Sequence, residues 1–376
     1  MRETTPRGKA QLLEFTKEPL AGSNLLNFLR LLTQNRFRIG WRYLPRFLYT
    51  LLLSSVMAPF RLAEHVKYHD AIQATEIEHD PVFIIGHWRS GTTYLHNILS
   101  QDPQLAWFTT FQAYIPGLFL MWNRQFKPVV DKSIPQKRPM DDVDMGADLP
   151  QEDQYAVGAY TPYSFYHGWC FPRRMTAYYD GVFIDEQSPA VQKEWRQAYH
   201  YLLQKITLAT GGRRLVLKNQ DNTVHIPLLL DMYPDARFIH IHRHPYEVYA
   251  SMLKFMRIAV PLYCLQNPPS EQELIRHMLD FSQRFFTRYL SDRGLIPDGQ
   301  LTEIRYQDFI ADPLNETRHV YEALDLPGFD RAAPMFGAYI DRQFDFTPDA
   351  YHLDEETRER VYQRWRPVFD AYGYEP

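Results

Sequence analysis

The sequence predicts an α/β fold, a central parallel sheet with helices on both faces, preceded by a helical N-terminal extension. Three observations carry this expectation. Fully apolar runs at Val82-Phe-Ile-Ile85 and Leu215-Val-Leu217, with a third strand pattern from Arg237 to His242, lack the alternation of a half-buried strand and suit strands covered on both sides. Segments of helical spacing separate them, and alternating β and α elements imply a parallel sheet. The first run also ends in a glycine-bounded loop that opens directly into a helix.

Taken in order, residues 1–78 read as the helical extension and 79–376 as the main domain. The first twenty residues hold Arg2, Glu3, Arg7, Lys9, Glu14, Lys17 and Glu18, without the continuous apolar core of a secretory signal. A cytoplasmic location is therefore the expectation. Phe47 to Phe60 is strongly apolar but shorter than the roughly 20 residues that span a bilayer. Flanked by Arg42, Arg46 and Arg61, it suits a helix lying on a membrane surface, the alternative being an ordinary amphipathic helix packed on the domain.

After the charged stretch Glu76-Ile-Glu-His-Asp80 comes the first strand, then a helix over Thr92 to Ser100. Met121 to Pro150 shifts to Pro, Asp, Lys and Gln and reads as a long loop or lid. A helix from Pro189 to Ala209 leads through Gly211-Gly212 to the second strand. Beyond it lie a helix from Val224 to Met232, the third strand, and a helix opening at Pro245, where proline suits the first turn. A helix near 271–291, a strand at Leu301 to Arg305, a helix at 313–325 and a C-terminal helix near 354–371 complete the chain.

The 376 residues are 45% apolar and carry a formal charge of -4, with a pI near 6.4. This excludes a general nucleic-acid binder, which needs a basic surface, so any anion site must be local. Cys170 and Cys264 stand far apart without metal-ligand spacing, which predicts two buried thiols rather than a disulfide or a zinc site.

Gly86-His-Trp-Arg-Ser-Gly-Thr-Thr93 has the glycine spacing of a P-loop, where backbone amides and a helix N-terminus surround a phosphate. The fold expected is accordingly P-loop NTPase-like. The lysine that follows the second glycine in nucleoside triphosphatases is replaced by Thr92, and the loop's cation is Arg89. That argues against Mg-triphosphate chemistry and for a smaller anionic group. A second anion constellation lies in Arg237-Phe-Ile-His-Ile-His-Arg-His-Pro-Tyr-Glu-Val-Tyr-Ala-Ser251. Arg243 falls at the carboxyl end of a strand and Ser251 in the second turn of the next helix, so a guanidinium and a hydroxyl can converge on a second phosphate. Both motifs sit where ligands lie in open α/β sheets.

Together these segments resemble the sulfotransferase superfamily, and specifically the broad bacterial family whose first loop reads like His87-Trp-Arg-Ser-Gly-Thr-Thr93, over roughly residues 81 to 330. The resemblance implies 3'-phosphoadenosine 5'-phosphosulfate as donor and no metal, with Arg89, Ser90, Gly91, Thr92 and Thr93 at the 5'-phosphosulfate end and Arg243 and Ser251 at the 3'-phosphate. Ile304-Arg-Tyr-Gln-Asp-Phe309 is similar to the family's Tyr-Glu-Asp segment and places Tyr306 near the adenine, with Gln307 where the glutamate is usual.

Sulfuryl transfer needs a nucleophilic acceptor oxygen and stabilisation of charge on the transferring group. Arg89 is one candidate for the electrostatic role. Lys218, at the end of the second strand, is another, and Lys218-Asn219 resembles the lysine segment the family sets beside the bridging oxygen. In Leu149-Pro-Gln-Glu-Asp-Gln154, which resembles the segment that offers a glutamate to the acceptor, Glu152 is the candidate base. Asp153 is its rival, with helix capping as its structural alternative, and His87 and His167 remain open.

Tyr155 to Phe171, rich in aromatic residues, reads either as core or as the lining of a pocket for a hydrophobic or ring-bearing alcohol. The expected acceptor is a hydroxyl-bearing small molecule, lipid or glycan. The competing readings are a P-loop kinase and a non-catalytic nucleotide-binding protein.

Overall fold

The computed structural model describes residues 19–141, 143–343 and 351–376. The charged stretch over the first eighteen residues, and the location expected from it, lie outside the described residues.

Five parallel strands form one sheet: β1 (Val82–Ile85), β2 (Leu105–Ala106), β3 (Arg214–Lys218), β4 (Arg237–His242) and β5 (Leu301–Arg305), in the order β2-β3-β1-β4-β5. The central strand pairs Val82 with Val216 on one side and with Arg237 on the other. Side chains alternate along each strand, yet both faces are apolar. Phe83, Ile85, Leu217 and Phe238 enter one core cluster, while Val82, Ile84, Val216 and Ile239 enter the opposite one. That double burial is why β1 and β3 read as unbroken apolar runs, whereas β5 alternates, with Glu303 exposed.

The helices follow in chain order. α1 (Leu25–Gln34) and α2 (Leu44–Gln73) precede the sheet; α3 (Thr92–Leu99), α4 (Thr110–Tyr114), α5 (Asn123–Ser133), α6 (Gln154–Tyr160), α7 (His167–Cys170), α8 (Met175–Asp180) and α9 (Pro189–Thr210) lie between β1 and β3. α10 (Ile226–Met232) precedes β4, α11 (Pro245–Tyr263) and α12 (Glu271–Asp292) precede β5, and α13 (Tyr306–Ala311), α14 (Pro313–Ala323), α15 (Phe329–Arg342) and α16 (Glu355–Tyr372) follow it. Local chemistry fixes several ends. Ser270 and Glu273 form a capping box at α12, and α9 stops at Gly211 with a left-handed φ of 68°.

Two departures from the sequence reading stand out. The segment expected to be a loop from Met121 to Pro150 begins with the 11-residue helix α5. Phe126 and Trp122 pack edge-on to Phe60 of α2, and this tertiary contact supplies the apolar face that the local composition hides. Only the part after Ser133 is irregular, pinned by a bridge between Lys137 and Asp144. α15 was not anticipated, its pattern being interrupted by Pro334 and Gly337. Cys170 and Cys264 are both buried and form no disulfide. No described helix is long and apolar enough to cross a membrane.

Candidate active site

The carboxyl ends of β1, β3, β4 and β5 converge, and each hands the chain directly to a candidate residue. After Ile85 the chain turns at Gly86, whose φ is 136°; a Cβ there would lie 2.4 Å from the Ile241 carbonyl oxygen. Gly91, at φ 100°, has the Tyr306 ring 2.5 Å from where a Cβ would be. These two glycines let the loop press against β4 and α13. Between them Arg89 itself adopts a φ of 71°, an unusual conformation for a non-glycine residue that the surroundings must hold in place.

Arg89, Gly91, Thr92, Thr93, Glu152, Arg243 and Tyr306 line one cavity of about 140 Å³. The Lys218 ammonium donates to Glu152 Oε1 at 2.5 Å and to Thr93 Oγ1 at 3.3 Å. Gln220 donates to Thr92 Oγ1 at 3.2 Å and to Glu152 Oε1 at 3.3 Å. Burial lowers the pKa of Lys218, and the Glu152 carboxylate works against that shift. The first amides of α3, at Thr92 and Thr93, have no partner within the helix.

Arg89 Nε donates to Ser251 Oγ at 2.9 Å, and its Nη1 forms an ion pair with Asp141. Arg243 donates from Nη1 to the Arg89 carbonyl oxygen at 3.3 Å, pairs with Glu247 at 2.6 Å, and stacks its guanidinium over the Tyr306 ring at 4.3 Å. The two anion motifs are therefore joined through Arg89 and Ser251. Ser90 is buried but faces a separate small space beside His87, His240 and Phe286.

The rival bases take other positions. The Tyr199 hydroxyl donates to Asp153 Oδ2 at 2.7 Å, and the Asp153 side chain does not cap α6. Burial pushes the Asp153 carboxyl up to about 7, against the lowering effect of Tyr199. His87 bonds the Trp88 carbonyl oxygen and Ser282, both at 2.8 Å, and burial takes its pKa down to about 4. His167, its pKa likewise lowered to about 4 by burial, bonds the Pro162 carbonyl oxygen at 3.0 Å. Neither histidine lines the cavity.

The aromatic segment divides. Tyr155 and Trp169 reach the cavity wall, whereas Phe165, Tyr166 and Phe171 are core. Tyr163 instead meets Arg30 and Glu194.

Sequence reasoning missed Arg138 and Asp141. Both line the cavity from the irregular segment after α5, with Arg138 donating to both carboxylate oxygens of Asp141 at 2.7 and 2.6 Å. Although burial opposes it, Arg138 and Arg89 hold the Asp141 carboxyl well below the usual range. Gln220 was also missed; its signal was the polar run Asn219-Gln-Asp221 directly after an apolar strand.

The sulfotransferase family profile matches residues 81–331, from β1 past the Tyr306 segment into α15. The chain belongs to the sulfotransferase family. It is thus a sulfotransferase, with the five-stranded parallel sheet and P-loop-like frame expected of one, and 3'-phosphoadenosine 5'-phosphosulfate is the family's general donor.

The omega-hydroxy-beta-dihydromenaquinone-9 sulfotransferases of Mycobacterium bovis and Mycobacterium tuberculosis are each 29% identical over 360 residues, covering 94% of this chain and 90% of theirs. Among solved structures, sulfotransferase STF1 of Mycobacterium tuberculosis H37Rv superposes with a TM-score of 0.65 at 20% identity, covering 95% of this sulfotransferase and 90% of that chain. STF9 of Mycobacterium avium gives 0.65 at 20%, covering 88% and 86%. At that identity the structural likeness speaks for the fold.

Proposed function

We propose that this sulfotransferase holds 3'-phosphoadenosine 5'-phosphosulfate across the carboxyl ends of β1 and β4 and passes its sulfuryl group, without a metal, to an acceptor hydroxyl activated by Glu152. The observation that carries the reading is the buried Glu152–Lys218 pair, tied to Thr93 of the loop, with Glu152 and Thr93 lining the cavity and Lys218 buried beside them.

The donor set suits the ligand: amides at a helix N-terminus, the hydroxyls of Thr92 and Thr93, and the cations Arg89, Lys218 and Arg243, each paired with a carboxylate that a bound anion would replace as partner. Thr92, Thr93 and the amide of Gly91 serve the 5' end, while the Ser90 amide donates to the His87 carbonyl oxygen at 3.3 Å. Arg243 and Ser251 serve the 3'-phosphate, with Arg89 between them, and the Tyr306 ring meets the adenine. Once bound, the donor supplies a sulfuryl group on a phosphate leaving group.

Glu152 accepts the proton of the acceptor hydroxyl. The acceptor oxygen then forms its bond to sulfur while the bond from sulfur to the leaving phosphate oxygen breaks, and Lys218 meets the charge on that oxygen. The ion pair fits this division of labour, since turning Lys218 towards the leaving oxygen frees the Glu152 carboxylate to act as base.

The cavity of about 140 Å³ is smaller than the roughly 300 Å³ at which ligand pockets begin. The segment bearing Arg138 and Asp141 therefore works as a lid that yields on binding, and Asp141 stands where an anion must meet Arg89. Residues 79–376 form the working domain in this reading, and 1–78 an extension to it.

Tyr155, Trp169, Phe255 and Tyr263 give the remaining wall an apolar, aromatic character, suited to a hydroxyl on a hydrophobic molecule. The relatives named for a hydroxylated menaquinone support a lipid acceptor over a glycan. Peripheral contact with a membrane surface accords with that choice. Transfer from the donor in the presence of chelator to a panel of apolar alcohols tests the reading; Glu152→Gln should abolish turnover while donor binding persists.

A further inference from the structure

α2 is apolar on both sides. Its inner side carries Arg46, Thr50, Ser54 and Glu64 along with Met57 and Ile72, and Phe47, Leu51 and Phe60 pack on the core beside them. Arg46 donates to the Cys264 carbonyl oxygen at 2.7 Å, and Glu64 pairs with buried Lys205 at 2.5 Å. Its outer side carries Leu44, Leu48, Leu52, Val56, Leu62 and Val66, with Leu48 57%, Leu52 61% and Val66 73% exposed. Ser55, Pro59 and Ala63 lie on the same side. At roughly 3.6 residues per turn these positions fall within an arc of about 120°, and from Leu44 to Val66 the stripe runs about 33 Å. No charged residue falls in it over that length. A helix in contact with water presents the opposite pattern.

What borders the stripe identifies its occupant. Arg36, Arg38 and Arg42 are exposed at its leading end and Lys67 and Asp70 at the other, with Phe37 60% and Trp41 75% exposed beside the arginines. The single carboxylate between residues 36 and 67 is Glu64, which is buried against Lys205. Exposed charge along this stretch is thus all cationic. A second copy packed on the stripe would bring the same four cations against Asp70 alone, the one exposed carboxylate from residue 36 to 70, whereas an anionic bilayer supplies both an apolar interior and negative headgroups. Aromatic residues next to the arginines match the preference of such rings for the headgroup level.

We propose that the outer face of α2 beds in the surface of an anionic lipid bilayer, its axis parallel to the membrane plane, with Phe37 and Trp41 at the interface and Arg36, Arg38 and Arg42 on the headgroups. The inference deepens the lipid-acceptor reading above by naming the surface on which the enzyme meets its acceptor.

Flotation of the full chain with phosphatidylcholine vesicles, and with vesicles also containing phosphatidylglycerol, tests it. The protein should float with the anionic vesicles, less so as salt rises. The L48E/L52E variant, altered only at exposed positions, should lose at least about tenfold of that binding, and R36Q/R38Q/R42Q should lose the preference for phosphatidylglycerol. Wild type left in the buffer with both vesicle types, or L48E/L52E floating as wild type does, overturns the proposal. So does a concentration-dependent dimer that L48E/L52E splits while vesicles bind nothing. Binding of 3'-phosphoadenosine 5'-phosphate by the same three proteins reports on the donor reading separately, so failure of either is told apart.

Discussion

Arg89 binds the two anion motifs to each other, through Ser251 on one side and, by its carbonyl oxygen, Arg243 on the other. Arg89→Ala should lower the rate of transfer by about 10²-fold or more, measured as initial rate at saturating donor; near-normal turnover would remove it from the mechanism. Asp141→Asn frees the same guanidinium from its lid partner and should tighten binding of 3'-phosphoadenosine 5'-phosphate by roughly tenfold, the worth of one charge-assisted contact. Weaker binding in that variant would mean that Asp141 helps to build the site.

Asp153 gives a pH signature. Its carboxyl, raised to about 7 by burial, stays protonated in the folded chain while the unfolded chain ionises near 4. Its contribution to stability should fall as pH rises from about 4 to about 7 and then level off. Urea midpoints of Asp153→Asn should therefore gain on wild type between pH 5 and pH 8; parallel curves would contradict the assignment. Arg89, Thr92, Thr93 and Arg243 were legible because each lies at a strand end or in a loop of fixed spacing, whereas Glu152 and Tyr306 were reached through the family resemblance of their segments. Arg138 and Asp141 were not, because they reach the cavity through closure of a segment remote from those motifs.

At the scale of elements, β1 and β3 were readable because both faces are buried and periodicity has little to confuse it, whereas β2, only Leu105–Ala106, escaped the sequence reading. α5 was hidden because its apolar partners, Phe60 on α2 among them, are distant in sequence. α16 was foreseen as a helix, though without a role. It docks on α12 through Trp365, which is 1% exposed and donates to the Leu279 carbonyl oxygen at 3.3 Å. Its end lays Tyr372 over His242 of β4, ring centroids 3.8 Å apart. Trp365→Ala should cost about 3–5 kcal/mol of unfolding free energy, read from denaturant midpoints. A cost below about 1 kcal/mol would show that α16 is an appendage. α2 teaches the converse lesson: composition alone made Phe47 to Phe60 apolar, but only the fold shows that one apolar side faces outward.

For the molecule as a whole, the glycine-bounded loop and the Arg243 strand end were enough to predict a P-loop-like frame, because the chemistry of phosphate binding constrains backbone, spacing and topology together; the sulfotransferase expectation rested on the resemblance of those motifs to the family's. The acceptor was not legible, because the aromatic segment from Tyr155 to Phe171, divided in the fold between cavity wall and core, reads the same whichever part it plays.

The central claim is that one site joins the loop at Arg89 to the strand end at Arg243 around a nucleotide bearing phosphates at both 3' and 5' positions. Calorimetric titration of the full chain with 3'-phosphoadenosine 5'-phosphate in chelator, against AMP and against Mg-ATP, tests it most directly. The account predicts metal-independent binding of the bisphosphate well above that of AMP. Preference for Mg-ATP, or equal affinity for AMP and the bisphosphate, would contradict it.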